Sequence, residues 1–176
     1  MFCFCLLRLV KKNLMVGGWK SKNPVLLLMR IPVPWVFVLT YFAGVGLEYV
    51  CPFALPMEAP RGIGIAGGGL FAIGAVIAGW AWVIFHRAGT TRVPWQLSSS
   101  LVTWGPFRIS RNPMYVGLSL AYLGEAALLR QIWPVLVLSL TVAYLNWVVI
   151  PVEEARLREV FRDKYEEYCA SVRRWI

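Results

Sequence analysis

Four long apolar stretches, separated by more polar connections, set the architecture of this chain. Ile63 to Phe85 gives 23 consecutive residues without a charge, and Ile132 to Val152 gives 21. A helix needs roughly 20 mostly apolar residues to cross about 30 Å of hydrocarbon, and soluble helices do not need uncharged runs of that length. Ile31 to Leu47 is a 17-residue uncharged run that continues past Glu48 towards Pro56, and Pro113 to Leu129 is a 17-residue run holding only Glu125. The pattern predicts an all-α, polytopic integral membrane protein with about four transmembrane helices. Pro32, Pro34, Pro113 and Pro134 lie at the starts of these runs, where a missing N–H costs little. In the second run Gly64, Gly67, Gly68, Gly69, Gly74 and Gly79 leave the helix surface nearly flat. That predicts close helix contact and a central place in the bundle.

After Pro151 the pattern changes. Leu157, Val160, Phe161, Tyr165, Tyr168 and Val172 recur at three- and four-residue steps in otherwise charged sequence, which predicts one cytoplasmic amphipathic C-terminal helix. Glu153 and Glu154 fall in its expected first turn, where carboxylates favour the helix dipole. Residues 1–30 read as a basic, disordered leader and residues 31–176 as a single membrane domain.

Composition agrees with the pattern. Of 176 residues, 59% are apolar and 15% charged, against about 45–50% and about 25% in soluble domains. The net charge of +9 is explained by where the basic residues sit. Sixteen fall in the segment before Pro32, the 87–112 connection or the tail after Pro151, and only Arg61 and Arg130 lie in the opposite connections. Because Lys and Arg accumulate in cytoplasmic segments, both termini and the 87–112 loop are expected in the cytoplasm. Contact with anionic lipid then accounts for the charge, and no nucleic-acid partner is implied. Cys3, Cys5, Cys51 and Cys169 form no CxxC pair, so a metal site has no support.

Polar residues that could carry chemistry are few. Glu48 and Glu125 lie in apolar runs, near the ends expected to face away from the cytoplasm, which favours structural or interfacial roles. His86, the only histidine, ends the second run as an interfacial residue. The loop leading into the third run is richer. Gly105-Pro106 turns the chain, and Asn112-Pro113 reads as a capping residue ahead of a helix start. Free N–H groups at that start could take an anionic or hydroxyl group; ordinary turn residues with snorkelling arginines are the equal alternative.

Three motif pieces occur in order: Leu101-Val102-x-x-Gly105-Pro106-Phe107; Arg111-Asn112-Pro113-Met114-Tyr115-x-Gly117; and Glu153-Glu154-x-x-Leu157 with Phe161, Tyr165 and Tyr168. The ordered set, covering roughly residues 85–174, resembles the isoprenylcysteine carboxyl methyltransferase family and is similar to related phospholipid methyltransferases. The resemblance implies a helical membrane methyltransferase that binds S-adenosylmethionine on the cytoplasmic side. It further implies that Ser99, Ser100, Leu101, Val102, Phe107, Arg111, Asn112, Pro113, Met114, Tyr115, Glu153 and Glu154 border or hold the cofactor. Carboxylates, aromatic faces and helix-end donors suit a ligand with a sulfonium, an ammonium and ribose hydroxyls. The acceptor expected from the bilayer setting is an amphiphilic, lipid-like or prenylated molecule. No general acid/base pair is evident; for an ionised carboxylate acceptor, alignment and exclusion of water would suffice.

Two positions depart from the family pattern. Asn112 stands where members often have His. Val149 stands where the eukaryotic enzymes carry a substrate-facing arginine, which leaves a prenylcysteine carboxylate without its expected partner. Two other readings share the architecture. One is an NADPH-dependent sterol or steroid reductase, whose related signature usually reads Asn-Tyr where this chain has Met114-Tyr115. The other is a non-catalytic membrane module that would tolerate loss of Glu153.

Overall fold

The computed structural model describes residues 31–52, 61–88 and 100–176, which are mainly helical, with no strand among them. Helix α1 runs Val33–Val50 and α2 runs Arg61–Arg87. A 3₁₀ turn at Gly105–Arg108 precedes α3, Pro113–Leu128. Helix α4, Trp133–Tyr144, passes through a π-helical turn, Leu145–Val149, into α5, Ile150–Phe161, and α6 follows at Asp163–Ser171. Prolines occupy the first or second position of α1, α3 and α4, as their preset φ favours. The basic leader expected at residues 1–30 lies outside the described residues.

Among the described residues, three helices are long and apolar enough to cross a membrane: Val33–Val50, Gly62–Arg87 and the continuous rod Trp133–Phe161. The third run, also expected to span, forms α3, whose 16 residues extend about 24 Å. Exposed apolar side chains cover the outer faces, among them Trp35 and Phe42 of α1 and Ile65 and Val76 of α2. An apolar exterior of this extent is what lipid-facing helices present.

The packing corrects the expected centre of the bundle. Helix α2 packs on α3 and the 3₁₀ turn, whereas α3 packs on α1, α2 and α4 and is the central element. The close contact expected of the α2 glycines comes from two of them. A Cβ on Gly67 would lie 2.7 Å from the Leu128 nitrogen and 2.8 Å from the Gly124 carbonyl oxygen, and Gly74 meets Gly117 and Ala121 in the same way. Gly64, Gly69 and Gly79 face open space. Two glycines seven residues apart on α2 thus meet two seven apart on α3, and the backbones touch.

Two further corrections concern the tail. No new helix starts at Pro151; the fourth apolar run continues through it as part of the rod Trp133–Phe161. Proline lacks an N–H and crowds the carbonyl four residues back. Immediately before it, the helix widens into the π turn, where the Ile150 amide donates to the Leu145 carbonyl five residues back. The expected single amphipathic helix is also broken at Arg162, whose φ of 45° separates α5 from α6. Tyr165 and Tyr168 of the expected stripe are buried, while Val160 is exposed.

At one end of the bundle Glu48 accepts from the Trp133 amide at 3.3 Å, satisfying a first-turn donor of α4, and the Trp133 indole donates to the Cys51 carbonyl at 2.7 Å. Glu48 therefore has the structural role expected of it. The opposite end gathers the end of α2, the 100–112 segment, the start of α3, and α5 with the residues that follow it.

Candidate functional site

The second and third motif pieces meet in one hydrogen bond. The Tyr115 hydroxyl donates to Glu153 Oε1 at 2.8 Å, joining residues 38 apart in sequence. Tyr115 lies in the first turn of α3 and is buried. It belongs to a cluster with Val33, Phe37, Tyr122, Leu138, Leu145, Val149 and Ile150. Glu153 lies one turn past the π turn and is half-buried.

The first motif piece forms the neighbouring wall. Val102 and Phe107 are buried with Ala81 and Ile84 of α2, and the Phe107 ring meets Phe85 edge to face at 4.9 Å. Gly105 has φ +65°, a left-handed conformation that glycine adopts without strain, and a Cβ there would strike Ile84. Met114 packs against both clusters and so joins the two walls. Leu101 is half-buried, Pro113 is buried, and Ser100 donates to the Ala88 carbonyl at 3.3 Å. Ser99 lies outside the described residues. His86 stacks on Trp82 at the end of α2.

Glu154 is placed differently from its neighbour. It is buried and faces three guanidinium groups: Arg174, which donates through Nε at 3.0 Å and Nη2 at 2.7 Å, Arg111 at 3.3 Å and Arg158 at 3.9 Å. A buried carboxylate requires such pairing. Arg111 also donates to Cys169 Sγ, while its Nε is buried without a partner among the described residues.

Asn112 does not cap α3 with its side chain, as the dipeptide Asn112-Pro113 led one to expect. Its Nδ2 donates to the Arg174 carbonyl at 2.9 Å, and its backbone N–H is taken by Ser110 Oγ at 3.0 Å. Tyr168 donates to the Phe107 carbonyl at 2.7 Å, fastening α6 to the 3₁₀ turn. Burial pushes its phenol up to about 12, so it remains a donor at neutral pH. Sequence reasoning missed Ser110, Asn146, Arg174 and Trp175. Their contacts are long-range and leave no periodic signal.

A helical bundle with an apolar exterior, one end of which assembles a buried tyrosine, the carboxylate it binds and a second carboxylate ringed by arginines, defines the class. Residues 63–164 match the phospholipid methyltransferase family model, and the chain belongs to that family of integral-membrane methyltransferases. It is also 28% identical over 124 residues to a phosphatidyl-N-methylethanolamine N-methyltransferase of Emericella nidulans. That alignment covers 69% of this chain and 59% of the relative's length. No solved structure matches the chain. Family membership speaks for the methyltransferase reading over the reductase and non-catalytic alternatives.

Proposed function

We propose that the protein transfers a methyl group from S-adenosylmethionine to the amine of a phospholipid headgroup of the phosphatidylethanolamine type. The observation that carries this reading is the Tyr115–Glu153 hydrogen bond, which unites two separated motif pieces in a member of this family.

The residues at this end of the bundle fit the methyl donor. Glu153 uses one acceptor position on Tyr115, and a carboxylate has about four, so it retains capacity for the ligand's ammonium or ribose hydroxyls. The buried Val102–Phe107 wall makes this side of the site apolar, which would limit the access of water to it. Arg111 Nε, buried and without a partner among the described residues, is a donor suited to the ligand's carboxylate. Glu154, already neutralised by arginines, fixes the shape of the site instead of touching the ligand. When bound, the donor would supply an electrophilic methyl on a sulfonium to the lone pair of the neutral headgroup amine, and the proton released would pass to solvent at the polar end of the bundle.

An amine acceptor suits this chain better than a prenylcysteine carboxylate. Val149, at the position of the resembling enzymes' substrate arginine, is buried in the core cluster and offers no cation. The distribution of Lys and Arg supports a cytoplasmic position for the 100–112 segment, the site and both termini.

The test is calorimetric titration of the solubilised protein with S-adenosylmethionine, its demethylated product and NADPH, followed by methyl transfer to vesicles. Expected are micromolar binding of the first two ligands, no binding of NADPH, and labelling of phosphatidylethanolamine or its monomethyl derivative. Labelling of farnesylcysteine alone would overturn the acceptor, and binding of NADPH alone would overturn the reaction.

A further inference from the structure

Residues 172–176 lie beyond the stretch that the family model matches, yet their contacts converge on the motif residues. The Arg173 carbonyl accepts from the Arg111 amide at 2.9 Å. That of Arg174 accepts from Asn112 Nδ2 at 2.9 Å and from Ser110 Oγ at 3.4 Å. Arg174's guanidinium grips both oxygens of Glu154, a two-pronged contact that fixes orientation as well as distance. Trp175 continues the attachment, its indole N–H donating to Asn146 Oδ1 of the π turn at 3.0 Å.

One residue thus holds both sides of the site. Its backbone holds the segment that opens α3, three residues before Tyr115, and its side chain holds the residue next to Glu153. An exposed ion pair would contribute little, but here the carboxylate is buried and its other partners, Arg111 and Arg158, lie farther away.

We propose that Arg174 is a positioning residue for the methyl-donor site, clamping Asn112 and Glu154 so that Tyr115 and Glu153 stay in hydrogen-bonding register. This rests on the functional reading above. Arg174 touches neither ligand nor reacting atoms; it acts through the two motif pieces that it ties together.

The experiment titrates the full chain in detergent with S-adenosylmethionine and S-adenosylhomocysteine, comparing wild type, Arg174→Ala, Arg174→Lys and Trp175→Phe. Arg174→Ala is expected to raise both Kd values about tenfold, the scale of a charge-assisted hydrogen bond, with stoichiometry and helical circular dichroism unchanged. Arg174→Lys, which keeps the charge without the fork, recovers part of the loss. In ligand-free protein, Arg174→Ala speeds alkylation of Cys169, beside Arg111, while the exposed Cys51 reacts at its wild-type rate. Wild-type Kd values in Arg174→Ala overturn the proposal and leave the functional reading standing. Should that variant fail to fold, Trp175→Phe decides: a raised Kd supports the clamp and an unchanged one overturns it. Wild type that binds neither ligand overturns the functional reading and this inference together.

Discussion

Tyr115 and Glu153 are joined side chain to side chain at 2.8 Å, one from the first turn of α3 and the other from α5 just past the π turn. Removing either partner tests a different contribution. Tyr115→Phe keeps the ring packed and loses the donor, so S-adenosylmethionine affinity should fall roughly tenfold, the value of one hydrogen bond to a charged acceptor. Glu153→Ala should abolish measurable binding while the protein still purifies as a helical monodisperse species. Calorimetry with circular dichroism on the same samples checks both outcomes.

Gly74 and Gly117 bring α2 and α3 into backbone contact. In an open helix Gly→Ala is favourable by about 1 kcal/mol, but overpacking a tight contact costs about 1–3 kcal/mol. Gly74→Ala should therefore lower the thermal midpoint in detergent. Gly69→Ala, facing open space, should leave it level or raise it.

Tyr168 fastens α6 to the 3₁₀ turn through the Phe107 carbonyl. Tyr168→Phe leaves that carbonyl without its donor, at a cost of about 1–3 kcal/mol. The pH dependence follows from the raised phenol. Because the fold favours the neutral form, this contribution is complete below the ordinary value of 10.0 and is lost as pH rises through about 12. Denaturation measured across that alkaline window should show a steeper loss in wild type than in Tyr168→Phe.

Glu48 stands at the far end, about 30 Å along the rod from Glu153. Glu48→Ala should cost about 0.5–2 kcal/mol through the uncapped Trp133 amide, with donor affinity unchanged. A shift in Kd would mean that the two ends are coupled through α4.

Much of this architecture was legible because bilayer dimensions constrain apolar length so strongly. Proline positions gave the starts of α1, α3 and α4, and the ordered motif pieces brought Tyr115 and Glu153 forward before any contact was known. What escaped had no local signal. The stretch Leu145–Val149 contains no breaker of its own, and only Pro151 downstream hints that the helix must widen. Arg162 adopts a positive φ without being glycine, so nothing in its identity marks the break. The glycines of α2 suggested contact, but which two served depended on Gly117 and Gly124 across the interface. Glu154 looked equivalent to Glu153 by proximity. Helical geometry separates adjacent residues by about 100°, which sent one towards Tyr115 and the other into the arginines.

The same rotation gives the π turn a meaning beyond relief of proline. A single π turn is equivalent to one extra residue threaded into a regular helix, so the rod carries a built-in phase shift between its bilayer half and its polar half. Excising one residue from Leu145–Val149 would leave everything beyond it near its present phase, whereas closing the same five residues into a regular α turn would swing everything beyond it by about 90°. Glu153 would then leave Tyr115 with every side chain of the site still present. In this chain the phasing of one helix is as much a determinant of the site as the identity of the residues that compose it.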